Sequence, residues 1–192
     1  MKICITGSQG VGKTTLAQQI NKEFPEFQVL PEAARLAVEA GYSLDLDATM
    51  ELEMWLILKQ IELEKATGDW VADRCFIDLV AYISYLFRHQ DALIEVAQRI
   101  IGDRLKGYDL VLYLPVEFEI KADGVRFVDK KFQSDVDKIV EWLLHRYDIR
   151  FHRITGNPKE RLTQVKKLIK EARAEIRDKK IDKLIKDHEV RE

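Results

Sequence analysis

The sequence predicts an α/β fold in which a parallel sheet is covered by helices. Three observations carry that expectation. Short apolar runs alternate with long amphipathic stretches. No internal repeat or low-complexity linker interrupts the alternation. Three of the nine glycines fall within the first twelve residues, directly after the first apolar run, a concentration that packing alone does not explain.

The elements follow in order from local pattern. A first strand over 2–6 (Ile3, Cys4 and Ile5 apolar in succession) enters the glycine-rich segment, and an amphipathic helix over 13–23 leaves it. A strand over 27–30 follows, then a helix over 31–40 with Pro31 in its first turn and Gly41 past its end. A longer helix over 48–66 is closed by Gly68 and feeds a strand over 70–73. Helices over 76–89 and 93–105 precede a strand over 109–114. A helix over 132–147, a strand over 149–155 and a long helix beginning at Pro158 complete the chain.

Composition narrows the function classes. With 192 residues the chain is one domain of ordinary size, and 46% apolar content supports a sizeable core. No stretch approaches the 18 or more apolar residues of a spanning helix. Met1-Lys2-Ile3-Cys4-Ile5 runs directly into motif and leaves no room for a signal peptide, so a cytoplasmic protein with no membrane partner is expected. The two cysteines, Cys4 and Cys75, make neither a disulfide framework nor a zinc site. Lys plus Arg (31) nearly balances Asp plus Glu (33), which argues against wholesale electrostatic binding to nucleic acid or an anionic membrane. A local basic surface stays open: residues 159–192 carry 12 basic and 8 acidic side chains. In that tail Leu162, Val165, Leu168, Ile169, Ile176, Ile181, Leu184 and Ile185 recur at roughly helical spacing. The tail fits a solvated helix with one face on the body, or a contact for a nucleic-acid backbone or another subunit. Oligomeric state is not readable.

Gly7-Ser8-Gln9-Gly10-Val11-Gly12-Lys13-Thr14 fills every fixed position of G-x-x-x-x-G-K-[ST]. Glycines let the backbone curl so that successive N–H groups point inward at phosphate oxygens. The helix that begins near Lys13 adds its positive end. Lys13 supplies a cation for the β- and γ-phosphates, the Thr14 hydroxyl a ligand for Mg²⁺, and Thr15 extends the nucleotide-binding run. The strand-loop-helix setting is the one this mechanism requires.

Phosphate binding alone does not decide what becomes of the γ-phosphate. The base-reading N-K-x-D of GTPase switches is not matched: Asn21-Lys22-Glu23-Phe24 lacks the Asp and lies on the first helix. The Asp-Glu that ends the corresponding strand of ATPase motors is replaced by Asp73-Arg74. Three constellations favour phosphoryl transfer to a hydroxyl. Glu32-Ala33-Ala34-Arg35 puts a carboxylate and a cation on one helical face near the carboxyl edge of the sheet, Glu32 to accept a proton and Arg35 to bind charge. An exposed helical ion pair would carry the same two residues. Asp73, at a strand end, can hold Mg²⁺ through water or serve as the base, and Arg74 can contact a phosphate or orient the acceptor. Asp78 and Tyr82 share a face of the next helix. A helix cap with an ion pair is the plainer reading of Asp73 and Arg74, and core packing that of Tyr82. Finally, the polar segment around Asp123-Gly124-Val125-Arg126, within a lid over about 116–131, can close over nucleotide and bring Arg126 to the transferred group; an exposed turn is the alternative. Tyr42, Trp55 and Tyr85 are available to stack on an acceptor ring or to pack in the core.

These residues resemble the P-loop nucleoside/nucleotide kinase superfamily from Met1 to about Arg161. More closely, the chain looks like the AAA-like kinase domains of bacterial nicotinamide riboside kinases and of many phage proteins. The carriers are the Gly7–Thr14 loop, Glu32-x-x-Arg35, Asp73-Arg74 with Ala81-Tyr82, and Asp123-Gly124-Val125-Arg126. Asp73-Arg74-Cys75-x-x-Asp78-Leu79-x-Ala81-Tyr82 is also similar to the D-R-[YF]-x-x-S-[ST]-x-A-Y of thymidylate kinases, with Asp78 for the Ser and Cys75 for the aromatic. Glu32-x-x-Arg35 resembles the D-x-x-R of polynucleotide 5′-kinases. The resemblance implies a P-loop NTPase three-layer sandwich: a five-stranded parallel sheet with helices on both faces, a lid and a long C-terminal helix, all in one domain over 1–192. It places Thr155-Gly156-Asn157-Pro158 beside adenine. It implies ATP and Mg²⁺, the metal held by Thr14 and Asp73, and a nucleoside-like acceptor. DNA or RNA as acceptor, and a regulatory ATPase without an acceptor, are the alternatives.

Overall fold

The structure, a computed structural model, describes residues 1–44, 49–102, 104–117 and 129–189. Strands β1 (Lys2–Thr6), β2 (Gln28–Leu30), β3 (Trp70–Asp73), β4 (Leu110–Tyr113) and β5 (His152–Arg153) form one sheet in the order β2-β3-β1-β4-β5. Each neighbouring pair is parallel, with Ile5 opposite Asp73 on one side of β1 and opposite Leu112 on the other. Parallel strands need crossovers, and seven helices accompany them. They are α1 (Lys13–Glu23), α2 (Ala33–Glu39), α3 (Met50–Leu63), α4 (Phe76–Leu86), α5 (Asp91–Gly102), α6 (Lys130–Arg146) and α7 (Pro158–Glu189).

The period of two along each strand sorts side chains between two cores. Ile3, Ile5, Leu110 and Leu112 pack with Leu16, Ala17 and Ile20 of α1 and with Val165 and Ile169 of α7. Cys4, Val111 and Tyr113 point the other way, into a larger core with Ile77 and Val80 of α4 and Val136 and Val140 of α6. Each fully buried Ile or Leu contributes about 1.5–3 kcal/mol, so the buried central strands anchor both layers. The chain builds β2 and β3 on one side of β1, then β4 and β5 on the other. The carboxyl end of β1 therefore lies where the strand order reverses, the position at which open α/β sheets collect ligands.

Several expected boundaries move for identifiable reasons. Helix α2 begins at Ala33 rather than residue 31, with Glu32 as an extended N-terminal residue at ψ 122°. The Glu32 backbone thus precedes the helix that carries Arg35. Helix α3 is narrower than 48–66: the Thr49 hydroxyl caps it, accepting from the Leu52 N–H at 3.3 Å, and Gly68 lies in the turn beyond it rather than at its end. Helix α6 starts two residues earlier than 132 because the Asp129 carboxylate accepts from Lys131 N–H at 2.7 Å and Phe132 N–H at 3.0 Å. Lys130 and Lys131 therefore belong to a helix and not to a lid. Strand β5 shrinks to two residues, as an edge strand with β4 alone as partner. Cys4 and Cys75, read separately in the sequence, are joined by a disulfide across a Cα–Cα distance of 6.0 Å, tying β1 to the start of α4. No described helix is long and apolar enough to cross a membrane.

Candidate active site

The loop between β1 and α1 is shaped by backbone that ordinary residues resist. Gly12 precedes α1 at φ +93°, in the left-handed region, and no side chain caps the helix. A Cβ on Gly7 would stand 2.3 Å from the Leu114 carbonyl oxygen, so only glycine lets β1 and β4 meet there. Lys13 is 5% exposed and donates from Nζ to the carbonyls of Gly7 at 2.7 Å and Ser8 at 2.5 Å. Its charge is folded over the mouth of the loop, held by neutral oxygens that an anion can outcompete. The buried Ser8 hydroxyl has no hydrogen-bond partner among the described residues.

Three helices grip this loop from behind, through polar contacts that the motif does not announce. The Gly7 N–H donates to Asp78 Oδ1 of α4 at 3.1 Å. Gln133 of α6 donates to the Gln9 carbonyl at 2.7 Å. Arg161 of α7 donates to the Val11 carbonyl at 2.5 Å, to the Gly156 carbonyl at 2.7 Å and to Glu117 Oε2 at 2.7 Å. Gln133 and Arg161 are functional candidates that sequence reasoning missed. Gln133 falls at a core-facing position of an amphipathic helix, where a polar side chain is the one available signal. Arg161 is one basic side chain among twelve in the tail and carries no local signature.

Glu32, Arg74, Asp78 and Tyr82 come together beside the loop. Arg74 is 7% exposed and Glu32 is 2% exposed. Arg74 Nε donates to Glu32 Oε1 at 2.5 Å, Nη2 donates to the Tyr82 hydroxyl at 3.2 Å, and Nη1 lies 3.5 Å from Asp78 Oδ1. Arg35, two-fifths exposed, reaches the other Glu32 oxygen at 3.4 Å. Burial works against the Arg74 charge, yet Tyr82, Glu32, Asp78 and Asp73 outweigh it and hold the guanidinium protonated. Burial pushes the Asp78 carboxyl up, against the cations Arg74 and Lys13 and the N–H groups of Cys75 and Gly7. Arg74 also sits at φ +83°, a left-handed conformation that a bulky residue adopts at a cost of about 1–3 kcal/mol. That turn aims Asp73 and Arg74 in different directions at the end of β3. The cap of α4 is Cys75, with Asp78 completing a capping box, rather than Asp73.

Asp73 is buried at the end of β3, one strand from the loop, and Thr14 is half-buried in the first turn of α1. No cluster of three or more His, Cys, Asp or Glu ligands occurs among the described residues. One carboxylate and one hydroxyl nevertheless fit Mg²⁺ as it travels with a triphosphate, because that ion takes most of its ligands from phosphate and water.

A cavity of about 140 Å³ adjoins the loop, lined by Gly10–Gly12, by Leu16 and Gln19 of α1, and by Pro158 and Arg161. Thr15 and Gly156 complete its wall. Asn157 is not part of it: its Oδ1 accepts from the N–H groups of Lys159 and Glu160 and caps α7. A larger cavity, about 410 Å³, lies at the amino ends of β4 and β5 against α7, remote from these groups. Tyr42 packs on Trp55, and Tyr85 on Phe132, both pairs at the edge of the core. Arg126 and the Asp123–Arg126 segment lie outside the described residues.

Residues 2–161 match a family model described as an AAA domain. No curated protein matches the chain in sequence. Among solved structures, the chain is similar to a deoxyadenosine kinase from M. mycoides, bound to dCMP and dCDP, at 14% identity and a TM-score of 0.66, covering 89% of this chain and 99% of that one. It is similar to a thymidylate kinase from Candida albicans at 18% identity and a TM-score of 0.65, covering 90% and 92%. It is similar to the NadR protein in complex with NR at 19% identity and a TM-score of 0.66, covering 81% of this chain and 46% of that one. At these identities the likeness is one of fold.

Proposed function

The chain belongs to the AAA domain family, and on that footing we propose that it is a kinase, moving the γ-phosphoryl group of ATP to a hydroxyl of a nucleoside-like small molecule with Mg²⁺. The observation that carries this reading is the continuous link from Glu32 through Arg74 and Asp78 to the Gly7 N–H. A carboxylate suited to an acceptor hydroxyl and a cradle suited to a triphosphate are thereby joined into one unit through hydrogen bonds and one ion pair. A nucleotide switch or an ATPase has no use for the first half of that unit.

In this reading Gly7, Ser8, Gln9, Gly10, Val11 and Gly12 wrap the triphosphate, and Lys13 leaves its two carbonyls for phosphate oxygens. Glu32 receives the acceptor's proton, with Asp73 the alternative base. Arg35 faces the transferred group, and Arg126 is the closing cation proposed on sequence grounds. Mg²⁺, held by Thr14 and through water by Asp73, would neutralise charge on the β- and γ-phosphates. In loose phosphoryl-transfer transition states, positioning and cations matter more than a strong base, which suits a site richer in arginine than in free carboxylates. The acceptor class is supported by the fold neighbours, among them a deoxyadenosine kinase and a thymidylate kinase.

The test is the fate of γ-labelled phosphate from Mg·ATP, incubated with nucleosides, nicotinamide riboside, nucleoside monophosphates, short DNA and RNA, and buffer alone. Label on one small acceptor is the expected result. Free phosphate released equally in every arm would replace the kinase with an ATPase. Label on polymer would favour a second reading, an acceptor hydroxyl on nucleic acid, which the exposed Lys179, Lys180, Lys183 and Lys186 of α7 support.

A further inference from the structure

We infer that Gln19 reads the base of the phosphate donor, its side-chain carbonyl accepting the exocyclic amine of adenine in the cavity behind the phosphate loop. This rests on the kinase reading and adds to it the residue that selects the nucleotide. The cavity, about 140 Å³, is too small for a whole nucleotide and of the scale of a single ring system. Its walls are largely apolar, with Val11, Leu16 and Pro158 among them, as a stacked base requires. It opens beside Gly10 and Gly12, so a base seated there lies on the same chain path as phosphates in the loop.

Three polar side chains line it, Thr15, Gln19 and Arg161, and the Thr15 hydroxyl, able to donate or accept, does not by itself tell adenine from guanine. Arg161 spends Nε, Nη1 and Nη2 on the Gly156 carbonyl, the Val11 carbonyl and Glu117, so its guanidinium serves as a fixed wall. Gln19 differs. Its Oε1 is buried and has no hydrogen-bond partner among the described residues, while the residue lines the cavity one helical turn beyond Thr15. A buried carbonyl oxygen without a donor is unfavourable until a donor arrives. Adenine brings an N–H₂ group at its six-position, whereas guanine brings an acceptor there. Rotating the amide would offer Nε2 to guanine, and a glutamate at the position has no such option.

The experiment compares binding of Mg·ATP, Mg·GTP and the triphosphate of purine riboside, which lacks any six-substituent, by calorimetric titration of the full chain. The wild type is expected to bind ATP about 10-fold more tightly than purine riboside triphosphate, the worth of one neutral hydrogen bond. Gln19→Leu should bring ATP down to the purine riboside value and leave that value unchanged. Gln19→Glu keeps the acceptor, so it should keep the ATP preference and widen the gap to GTP. If Gln19→Leu retains the full preference for ATP over purine riboside triphosphate, the inference is overturned. Base-independent binding by the wild type overturns base reading and leaves the kinase reading standing. Failure of the wild type to bind any triphosphate overturns both.

Discussion

The phosphate loop and the Glu32–Arg74 cluster sit side by side, yet their charges are satisfied in opposite ways. Lys13 rests on two backbone carbonyls, neutral partners that an incoming phosphate displaces at little cost. Arg74 rests on two buried carboxylates and a tyrosine hydroxyl, charged and polar partners that are themselves held in place by Arg35 and by the N–H groups of Gly7 and Cys75. One cation is parked and the other is built in. The difference separates two roles that residue type alone merges: Lys13 can exchange carbonyl oxygens for those of a triphosphate, whereas Arg74 fixes the direction in which Glu32 points.

Substitutions at the two cations should therefore fail in different currencies. Lys13→Ala is expected to abolish transfer altogether while the melting temperature stays within a few degrees, because Asp78 keeps Arg74 and the N–H groups of Gly7 and Cys75. Near wild-type turnover in the label assay would sink the kinase assignment. Arg74→Met should cost roughly 3–5 kcal/mol of stability in urea unfolding, since it takes from Glu32 and Asp78 the buried cation they share. If Arg74→Met instead unfolds like wild type and loses only turnover, Arg74 touches the transferred phosphoryl group and the comparison collapses.

The same contrast explains what was legible in the sequence. The loop could be read because every position of Gly7–Thr14 serves backbone geometry or phosphate chemistry, and such demands fix residue types at fixed spacing. Strands β1 and β3 and helix α1 were equally plain, with apolar runs bounded by that motif or by Asp73. Glu32 and Arg35 could be named, but their placement on a common helix could not stand, because Glu32 adopts extended backbone ahead of α2. The supports at Gln133 and Arg161 stayed hidden because they act through backbone carbonyls 124 and 150 residues away. A contact to a carbonyl imposes no residue type on its partner, so nothing in the loop sequence points to them. The Cys4–Cys75 pairing was hidden for the same reason of distance, since 71 residues separate two cysteines that β1 and β3 bring together.

Another buried carboxylate sharpens the comparison by having no cation as partner among the described residues. Glu53 of α3 is 3% exposed, its Oε2 lacks a hydrogen-bond partner among the described residues, and burial alone pushes its carboxyl up from 4.5 to about 7. Where Glu32 and Asp78 keep company with Arg74, Glu53 holds its proton to a higher pH than an exposed carboxyl does. A raised carboxyl contributes its stability below the unfolded value and loses it as pH climbs toward the folded one, here between 4.5 and about 7. Glu53→Gln, which needs no proton, should accordingly be more stable than wild type at pH 8, by on the order of 3 kcal/mol, with the gain fading by pH 4.5. Urea unfolding at both pH values measures it. A difference that is the same at both would mean that Glu53 is ionised and paired in the folded protein.

The smallest effect belongs to the end of α7, which serves neither region. Its first half is tied in: Arg161 reaches the loop, Gln164 donates to the Thr155 carbonyl at 2.7 Å, and Val165 and Ile169 are fully buried. Farther along, Ile181, Leu184 and Ile185 are 48%, 67% and 52% exposed, and the lysines around them stand in solvent. Ending the chain after Asp178 removes surface without touching the loop or the Glu32 cluster. Turnover with a small acceptor should stay within about twofold, the range of a surface change. An oligonucleotide acceptor would respond differently, because the lost lysines would take phosphate contacts with them and flatten the fall of affinity with salt. Selective loss of oligonucleotide phosphorylation in the shortened chain would move the acceptor from small molecule to polymer. An equal loss for both acceptors would make the end of α7 a support for the fold, despite its exposure.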